Sequence, residues 1–270
     1  MRGAMKKLYD LVCVGNYTKD TIITPEGTRE VDGGAVNYAA NAAVRLGLRT
    51  AVVTRLARED KRVIEALEKV GVDCYPEYTP SSTLMSLEYK TSNVDQRTLR
   101  VTSTAGTVSP EQLEGLETRA VVVGSSLRGE VELAFFQAMR QREGLLIGCD
   151  VQGFVRVLRG ESLVYERWDE MPAVLSCVDI LKSDAVEAEF LTGEKDIYRA
   201  ARIYAALGPR EIVLTHSQGV LIHAEGRDYA YPFFAGGVEG RSGRGDTCLG
   251  SYTAARLSKP AGEAGRWAAA

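Results

Sequence analysis

The chain has 270 residues, of which 45% are hydrophobic and 26% charged, with a formal net charge of −3 at pH 7. This length and composition suit a single domain, residues 1–270, with a full hydrophobic core. The charge balance lacks the basic excess of nucleic-acid-binding domains, so that class of partner is excluded. No apolar run approaches the ~20 residues that span a bilayer, and we expect a soluble, cytoplasmic protein without membrane partners.

Five cysteines are scattered along the chain, and no two form a Cys-x-x-Cys pair. This spacing is typical of a reducing compartment and argues against structural zinc. The two histidines, His216 and His223, have no cysteine, histidine or carboxylate at ligand spacing. We therefore do not expect the histidines to hold a metal ion.

Short apolar runs, rich in β-branched residues, alternate with helical patterns along most of the chain. The predicted strands are Leu11–Val14, Thr50–Val53, Val121–Gly124, Leu145–Cys149, Ile180–Leu181 and Ile212–Leu214. The predicted helices are Ala35–Leu46, Asp60–Val70, Val131–Gln141, Glu187–Leu191 and Ile197–Leu207. This alternation predicts a three-layer α/β fold around a mostly parallel sheet, with ligands at the carboxyl ends of the strands.

The segment from Tyr75 to Ser103 breaks this alternation. Strand patterns at Leu84–Tyr89 and Thr98–Thr102 flank the polar turn Thr91–Gln96, which predicts a hairpin. Further strand patterns, which could pair with this hairpin, lie at Thr21–Ile23 and Thr28–Val31. We interpret residues 21–31 and 82–103 as a small β lid that excludes water from a site; the alternative is an ordinary surface hairpin.

The most informative stretch is the turn Gly243-Arg244-Gly245-Asp246, which runs directly into a small-residue helical pattern. Such a turn leaves backbone N–H groups free at the positive end of a helix, which makes an anion site. An aspartate conflicts with an anion site unless it serves as a base. Asp246 can take a proton from a hydroxyl while the N–H groups hold a phosphoryl group, and the turn therefore indicates phosphoryl transfer.

This turn, together with Ser242, resembles the Asp-Thr-x-Gly-Ala-Gly-Asp signature of the ribokinase (pfkB) family of carbohydrate kinases. Gly240 stands where the family usually has aspartate, and Arg244 where it has alanine. A second stretch, Gly33–Tyr38 followed by Arg45-Leu46-Gly47, resembles the double glycine and helix of the family's first signature. Because the two signatures fall at opposite ends, the resemblance spans most of the chain.

The resemblance implies a ribokinase-like fold, ATP and Mg²⁺ as cofactors, and a homodimer formed through the lid. Asp246 would be the catalytic base, and Gly243, Arg244 and Gly245 would form the anion hole. Asp184-x-x-Glu187 resembles the family's Asn-x-x-Glu motif, so Glu187 would organise magnesium through water. The resemblance gives nucleotide contacts to Asp184, Thr215 and Gly219, and acceptor contacts to Asp20, Gly33, Gly34, Asn37 and Gln152.

One departure from the family pattern bears on the acceptor. When the double glycine and the Arg-Leu-Gly run are aligned without a gap, the family's substrate-binding asparagine falls on Tyr38. Asn37 lies one residue earlier, about 100° around a helix. This change, with the Gln152-Gly153-Phe154 run and Arg244, resembles the branch of the family that contains myo-inositol kinases.

The sequence therefore predicts an ATP- and magnesium-dependent kinase of a small sugar or polyol, with myo-inositol as the first candidate acceptor. One alternative is a nucleoside kinase, which would need aromatic stacking surfaces in the lid, where Tyr89 offers one. Another is a catalytically silent sugar-binding protein that kept the fold. The presence of both Asp246 and Glu187 argues against that alternative.

Overall fold

The computed structural model describes residues 7–89, 97–233 and 243–270. The predicted turn Thr91–Gln96 lies outside these residues, as do Gly240 and Ser242 of the second signature. In chain order the strands are β1 (Lys7–Val14), β2 (Thr18–Thr24), β3 (Gly27–Gly33), β4 (Thr50–Ala57), β5 (Asp73–Thr79), β6 (Thr83–Tyr89), β7 (Arg97–Ser103), β8 (Leu116–Val123), β9 (Leu146–Asp150), β10 (Arg156–Arg159), β11 (Ser162–Tyr165), β12 (Ile180–Asp184), β13 (Glu211–His216), β14 (Gly219–Ala224) and β15 (Arg227–Pro232). The helices are α1 (Ala35–Arg45), α2 (Arg62–Lys69), α3 (Leu133–Arg140), α4 (Gln152–Val155), α5 (Met171–Leu175), α6 (Ala185–Thr192), α7 (Ile197–Ala205), α8 (Arg244–Arg256) and α9 (Ala261–Ala269).

Nine strands form the central sheet, in the order β15-β14-β13-β12-β9-β8-β1-β4-β5. The seven strands from β13 to β5 pair in parallel, and β14 and β15 add an antiparallel edge. Parallel strands need helical crossovers, which cover both faces of the sheet and bury it. The predicted three-layer fold around a mostly parallel sheet is confirmed.

Alternate residues along β1 pack against opposite helical layers. Leu11 and Cys13 belong to a buried cluster with α1, α8 and α9, and Val12 and Val14 belong to a second cluster with α3, α5 and α7. The period-2 alternation of a strand therefore supplies apolar side chains to both layers, which explains the continuous apolar runs in the sequence.

A second sheet has six strands in the order β10-β11-β7-β6-β2-β3. The four strands predicted for the lid pair as expected, with β2 antiparallel to β3 and β6 antiparallel to β7. The two additional strands, β10 and β11, follow α4 and were not predicted, because four-residue strands carry too little periodicity to detect. The prediction also missed β5, whose residues are half-buried or exposed at the edge of the central sheet.

The chain passes from β1 to β4 and β5 on one side of β1, and later crosses back to β8 and continues through β9, β12 and β13 on the other side. A crevice opens where such a doubly wound sheet changes direction, and ligands bind there at the carboxyl ends of the strands. Gly15, Gly124, Asp150 and Asp184 lie at or just beyond the ends of strands around this crevice. The fold therefore brings distant stretches of the chain to one edge.

Helices α1 and α8 cross this crevice side by side. A Cβ atom on Gly250 would lie 2.7 Å from Cα of Ala39, so two small residues let the helix backbones approach closely. Both helices begin at the same end of the sheet, at Gly34 and Gly243. This packing brings the two glycine-rich signatures of the sequence together.

Candidate active site

Helix α8 begins after a residue whose backbone conformation favours glycine. Its N-cap residue, Gly243, has a φ of 78°, in the left-handed region that glycine tolerates best. The bond from the N–H of Thr247 to the carbonyl of Gly243, 2.8 Å long, closes the first turn. The N–H groups of Arg244, Gly245 and Asp246 therefore have no partner within the helix, and no side chain among the described residues caps them. Such donors at a helix start are suited to an anion.

Asp246 lies in the first turn of α8, half-buried above an apolar crevice. The crevice is lined by Cys13, Ala35, Val36, Ala39, Val122, Gly124 and Leu249. Burial is the main reason that the pKa of Asp246 rises to about 6, and the charge of Asp150 raises it further. The positive charges of Lys182 and Arg156 oppose this rise. A carboxylate with this pKa is ionised at neutral pH and can still accept a proton, which suits a general base.

The side chain of Asp20 lies over the double glycine that precedes α1. Its carboxylate and the hydroxyl of Thr18 fill the space that a Cβ atom on Gly33 would occupy. Gly34 has a φ of 94°, and a Cβ atom there would lie 2.7 Å from the carbonyl oxygen of Asn16. Both glycines are therefore needed where the chain passes beside Asp20.

The two neighbouring residues Asn37 and Tyr38 face different surroundings. The amide of Asn37 donates to the carbonyl of Asp32 (3.3 Å), and its side-chain oxygen accepts from Asn41 (3.1 Å). The ring of Tyr38 instead packs on Gly243, in the space that a side chain there would need. Burial, followed by the negative charges of Asp20 and Asp246, raises the pKa of the Tyr38 hydroxyl. Tyr38 is therefore the residue of this pair that faces both carboxylates.

Asp184 and Glu187 form a reciprocal cap at the start of α6. Asp184 Oδ1 accepts from the N–H of Glu187, and Glu187 Oε2 accepts from the N–H of Asp184, each at 2.8 Å. Glu187 is fully buried, which raises its pKa to about 7 although the charge of Lys182 opposes the rise. Its second oxygen, Oε1, has no hydrogen-bond partner within the described part of the chain. The cap thus fixes a carboxylate with one oxygen still able to accept a hydrogen bond.

The remaining predicted contacts lie along the same edge of the sheet. Thr215 is buried and stands opposite Asp184 in the β12–β13 pair. Gly219 lies against the carbonyl oxygen of Tyr231, so this glycine has a packing role within the antiparallel edge. The backbone N–H of Gln152 donates to Asp150 Oδ1 (2.9 Å) at the end of β9.

The sequence analysis missed a buried lysine in the centre of the site. The side chain of Lys182, on β12, is 4% exposed, and its Nζ lies 2.9 Å from Asp150 Oδ2 and 4.0 Å from Glu187 Oε2. A lysine within the otherwise uncharged run Ile180–Ser183 was the signal that could have identified it. Such an interruption of a buried strand marks a charge that has a specific partner.

Two arginines also stand near the helix start. Arg156, at the beginning of β10, is only 7% exposed, and its charge lowers the pKa of both Asp246 and Glu187. No carboxylate among the described residues forms a salt bridge with it, and its Nε has no hydrogen-bond partner there. Arg244 is half-buried, with its guanidinium carbon 4.8 Å from the ring centroid of Phe233. The site therefore holds two guanidinium groups near the start of α8.

The acidic residues do not by themselves enclose a metal ion. Across residues 7–89, 97–233 and 243–270, no group of three or more Asp, Glu, His or Cys side chains is placed to ligate one. A cation at this site would therefore be held partly by other ligands, such as water or phosphate. In the same residues, no helix is long and apolar enough to cross a membrane.

Comparisons with known proteins find similarity to one family of kinases. Residues 6–270 match the model of a family described as "pfkB family carbohydrate kinase". A pyrophosphate-dependent kinase in the ribokinase family, solved as a sulfate complex, is 30% identical, covers 96% of this chain and 92% of its own, and has a TM-score of 0.90. A pyrophosphate-dependent myo-inositol-1 kinase that a double mutation converts into a myo-inositol-3 kinase is also 30% identical, with 96% and 90% coverage and a TM-score of 0.88. A cytidine kinase of Thermococcus kodakarensis is 26% identical over 257 residues, 92% of this chain and 88% of that protein.

Proposed function

This chain belongs to the pfkB family of carbohydrate kinases and is a phosphotransferase that acts on a sugar or polyol hydroxyl; we propose that its acceptor is a ring polyol, with myo-inositol as the first candidate. The similarity to a myo-inositol kinase supports this acceptor. The observation that carries the proposal is the position of Tyr38, which packs on Gly243 while its hydroxyl lies within the field of Asp20 and Asp246.

A tyrosine at this position favours a particular shape of acceptor. Its ring offers an apolar face, and its hydroxyl both donates and accepts a hydrogen bond. A cyclohexane polyol with mostly equatorial hydroxyls presents C–H groups on its faces and hydroxyls around its rim, which matches that surface. The asparagine amide that relatives use for a furanose is absent here, so a furanose would leave buried hydroxyls without partners.

The carboxylates then divide the work on the acceptor. Asp246 would take the proton from the reacting hydroxyl as its oxygen bonds to phosphorus and the donor's bridging P–O bond breaks. Its pKa of about 6 leaves it ionised before the reaction and able to hold the proton afterwards. Asp20, supported by the close backbone at Gly33 and Gly34, would orient another hydroxyl of the ring.

The start of α8 would stabilise the phosphoryl group in transit. The N–H groups of Arg244, Gly245 and Asp246 point away from the helix without intrahelical partners, and negative charge is favoured at that end of the helix dipole. Arg156 and Arg244 add guanidinium groups that suit phosphate oxygens. Asp184 and Thr215 stand side by side at the strand ends where the rest of the donor would lie.

The residues present fit a magnesium ion held through water. Glu187 fixes one carboxylate oxygen in the helix cap and leaves its buried Oε1 without a protein partner among the described residues. Mg²⁺ keeps several waters and commonly takes only one or two carboxylates together with substrate phosphates. The bound ion would neutralise charge on the donor phosphates, and Glu187 would orient a water molecule of its shell.

The donor is a phosphoanhydride, and two candidates share the terminal group that this site would bind. ATP is the donor that the sequence resemblance implies. Pyrophosphate is the donor of solved kinases that are 30% identical to this chain. We place pyrophosphate first on the strength of these relatives, and ATP second.

The nucleoside alternative keeps one specific support, the similarity to a cytidine kinase. A single experiment separates the candidates. The purified protein is incubated with Mg²⁺, each donor and an acceptor from a panel of myo-inositol, other inositols, ribose, fructose and cytidine, and the products are identified by mass spectrometry. We expect the highest kcat/KM for an inositol. A higher kcat/KM for ribose, fructose or cytidine would reject the acceptor proposal, and no phosphorylated product from any pair would reject the kinase proposal for this site.

A further inference from the structure

Lys182 occupies an unusual place for an ammonium group. It lies on β12, in the interior of the central sheet between β9 and β13, and only 3% of the residue is exposed. Moving a charged lysine out of water costs on the order of several kcal/mol in proteins. Ion pairing in the interior often does no more than offset that cost. Stabilisation of the fold is therefore not a sufficient reason for a buried ion pair at this position.

The Nζ atom of Lys182 lies directly beneath the first turn of α8. A Cβ atom built on Gly245 would stand 2.6 Å from Nζ and 2.9 Å from Cε, so the lysine occupies the space that a side chain there would need. Asp150 Oδ2 is farther from the same point, at 3.9 Å, although it lies 2.9 Å from Nζ. The positive end of this ion pair is thus the end that is turned toward the anion site.

Lys182 also connects the carboxylates of the site. Its Nζ bridges Asp150 at the end of β9 and Glu187 in the cap of α6. Burial alone would favour the neutral amine, whereas the Asp150 carboxylate, 2.9 Å from Nζ, favours the ammonium form. The ammonium group of Lys182 on β12 therefore connects the end of β9 with the start of α6.

We propose that Lys182 is a positioning residue of the phosphoryl transfer: its ammonium group fixes Gly245 and Asp150 and places a permanent positive charge beneath the anion site. This inference rests on the proposed function, because the charge acts on the phosphoryl group that the start of α8 would bind. The positive charge of Lys182 also favours the ionised form of the proposed base, Asp246. The charged groups that act on Asp246 are Asp150, Lys182, Arg156 and Asp20, with Tyr38 also nearby, and Lys182 is the first of these that favours ionisation.

The test compares Lys182→Met with Lys195→Met, which removes the same charge from an exposed lysine that pairs only with Glu189 (3.6 Å) among the described residues. For Lys182→Met we expect kcat to fall about 10²-fold, as when an oxyanion donor is removed, with little change in the acceptor KM. We also expect the acidic limb of the kcat/KM profile to move upward by about one pH unit, because Asp246 loses a favourable charge. The donor phosphates titrate in the same way with both variants. A difference between the two pH profiles therefore arises from groups of the enzyme.

A purely structural role predicts a different result. It would lower the fraction of active enzyme and leave the pH profile superimposable on that of Lys195→Met, which would overturn the proposal. If Lys182→Met folds poorly, the double variant Lys182→Met/Asp150→Asn removes both charges and leaves no carboxylate unpaired at that position. We expect this double variant to recover its melting temperature while kcat remains at least about 10-fold low. Recovery of wild-type kcat would show that the charge is not needed.

Binding of inorganic pyrophosphate provides a readout that does not depend on the acceptor. By calorimetry, we expect Lys182→Met to bind pyrophosphate about 10-fold more weakly than wild type, and Lys195→Met to bind it equally well. Equal affinity in the two variants would contradict a charge beneath the anion site. Failure of wild type to turn over any acceptor would reject the proposed function, whereas the pyrophosphate comparison would still decide the role of Lys182.

Discussion

The ring of Tyr38 occupies the space in front of Gly243 that a side chain at that position would need. The proposed acceptor side of the site and the turn at the start of α8 are therefore in direct contact. Any change in the size of residue 38 alters both the acceptor surface and the support of the helix start. This contact makes Tyr38 the most informative position for a substitution that tests acceptor choice.

Tyr38→Asn introduces the asparagine that the family signature places at this position when it is aligned without a gap. We expect the ratio of kcat/KM for myo-inositol to that for ribose to fall about 10–100-fold, because the ring face is lost and an amide becomes available to a furanose. Asn37→Ala tests the competing alignment, in which Asn37 contacts the acceptor. A larger change in that ratio for Asn37→Ala than for Tyr38→Asn would reject the assignment. Steady-state kinetics with both acceptors provide the measurement.

Asp246→Asn should separate activity from stability. We expect kcat to fall about 10²–10⁴-fold, the typical contribution of a general base, with the circular dichroism spectrum unchanged. Because the folded-state pKa of Asp246 is raised to about 6, ionising the carboxylate costs stability. That cost sets in above the unfolded value near 4 and reaches its full size above about pH 6, so the variant should melt higher than wild type at pH 7.5 and not at pH 4. A variant that retains a third of the wild-type kcat would contradict the base assignment.

Glu187→Gln should change the response to magnesium more than the acceptor KM. The amide can preserve the helix cap through its oxygen, but it lacks the charge that would orient a water molecule of the magnesium shell. Glu189→Gln is the matched control on the same helix, because Glu189 pairs with Lys195 on the exposed face. We expect a several-fold rise in the magnesium concentration for half-maximal rate in the first variant alone. Superimposable titrations of the two variants would remove Glu187 from the magnesium site.

Arg244→Ala tests whether this guanidinium binds the donor or serves only to pack on Phe233. We expect kcat/KM for the donor to fall about 10–100-fold, as for loss of a charge-assisted hydrogen bond, and Arg244→Lys to recover part of it. Phe233→Leu removes the ring and keeps the charge, so it should cost much less. If Phe233→Leu and Arg244→Ala lower the donor kcat/KM equally, the arginine acts through its packing and not through phosphate.

Local patterns in the sequence were enough for several parts of the fold. The alternation of short apolar runs with helical patterns predicted the parallel sheet, because buried strands and amphipathic helices have different periods. The hairpin pattern at Leu84–Tyr89 and Thr98–Thr102 predicted β6 and β7, and separate strand patterns at Thr21–Ile23 and Thr28–Val31 predicted β2 and β3. A helix directly after the glycine-rich turn was predicted, but α8 begins within that turn, at Arg244, because glycine tolerates the left-handed backbone of Gly243. The cap formed by Asp184 and Glu187 is also local, since its partners are three residues apart, but the sequence patterns had assigned these residues to nucleotide and magnesium and not to a helix cap.

Tertiary structure decided which side chains meet. The sequence could not show that Lys182 lies beneath Gly245, since the two residues are far apart in the chain and meet only when β12 and α8 pack together. Arg156 enters the site from β10, a strand too short to carry its own pattern. Tyr38 reaches Gly243 because Ala39 and Gly250 allow two helices to approach closely. The sequence by itself determined the local backbone of the anion-binding turn, whereas the charges and the ring around that turn depend on contacts between distant segments, which only the packed fold brings within reach.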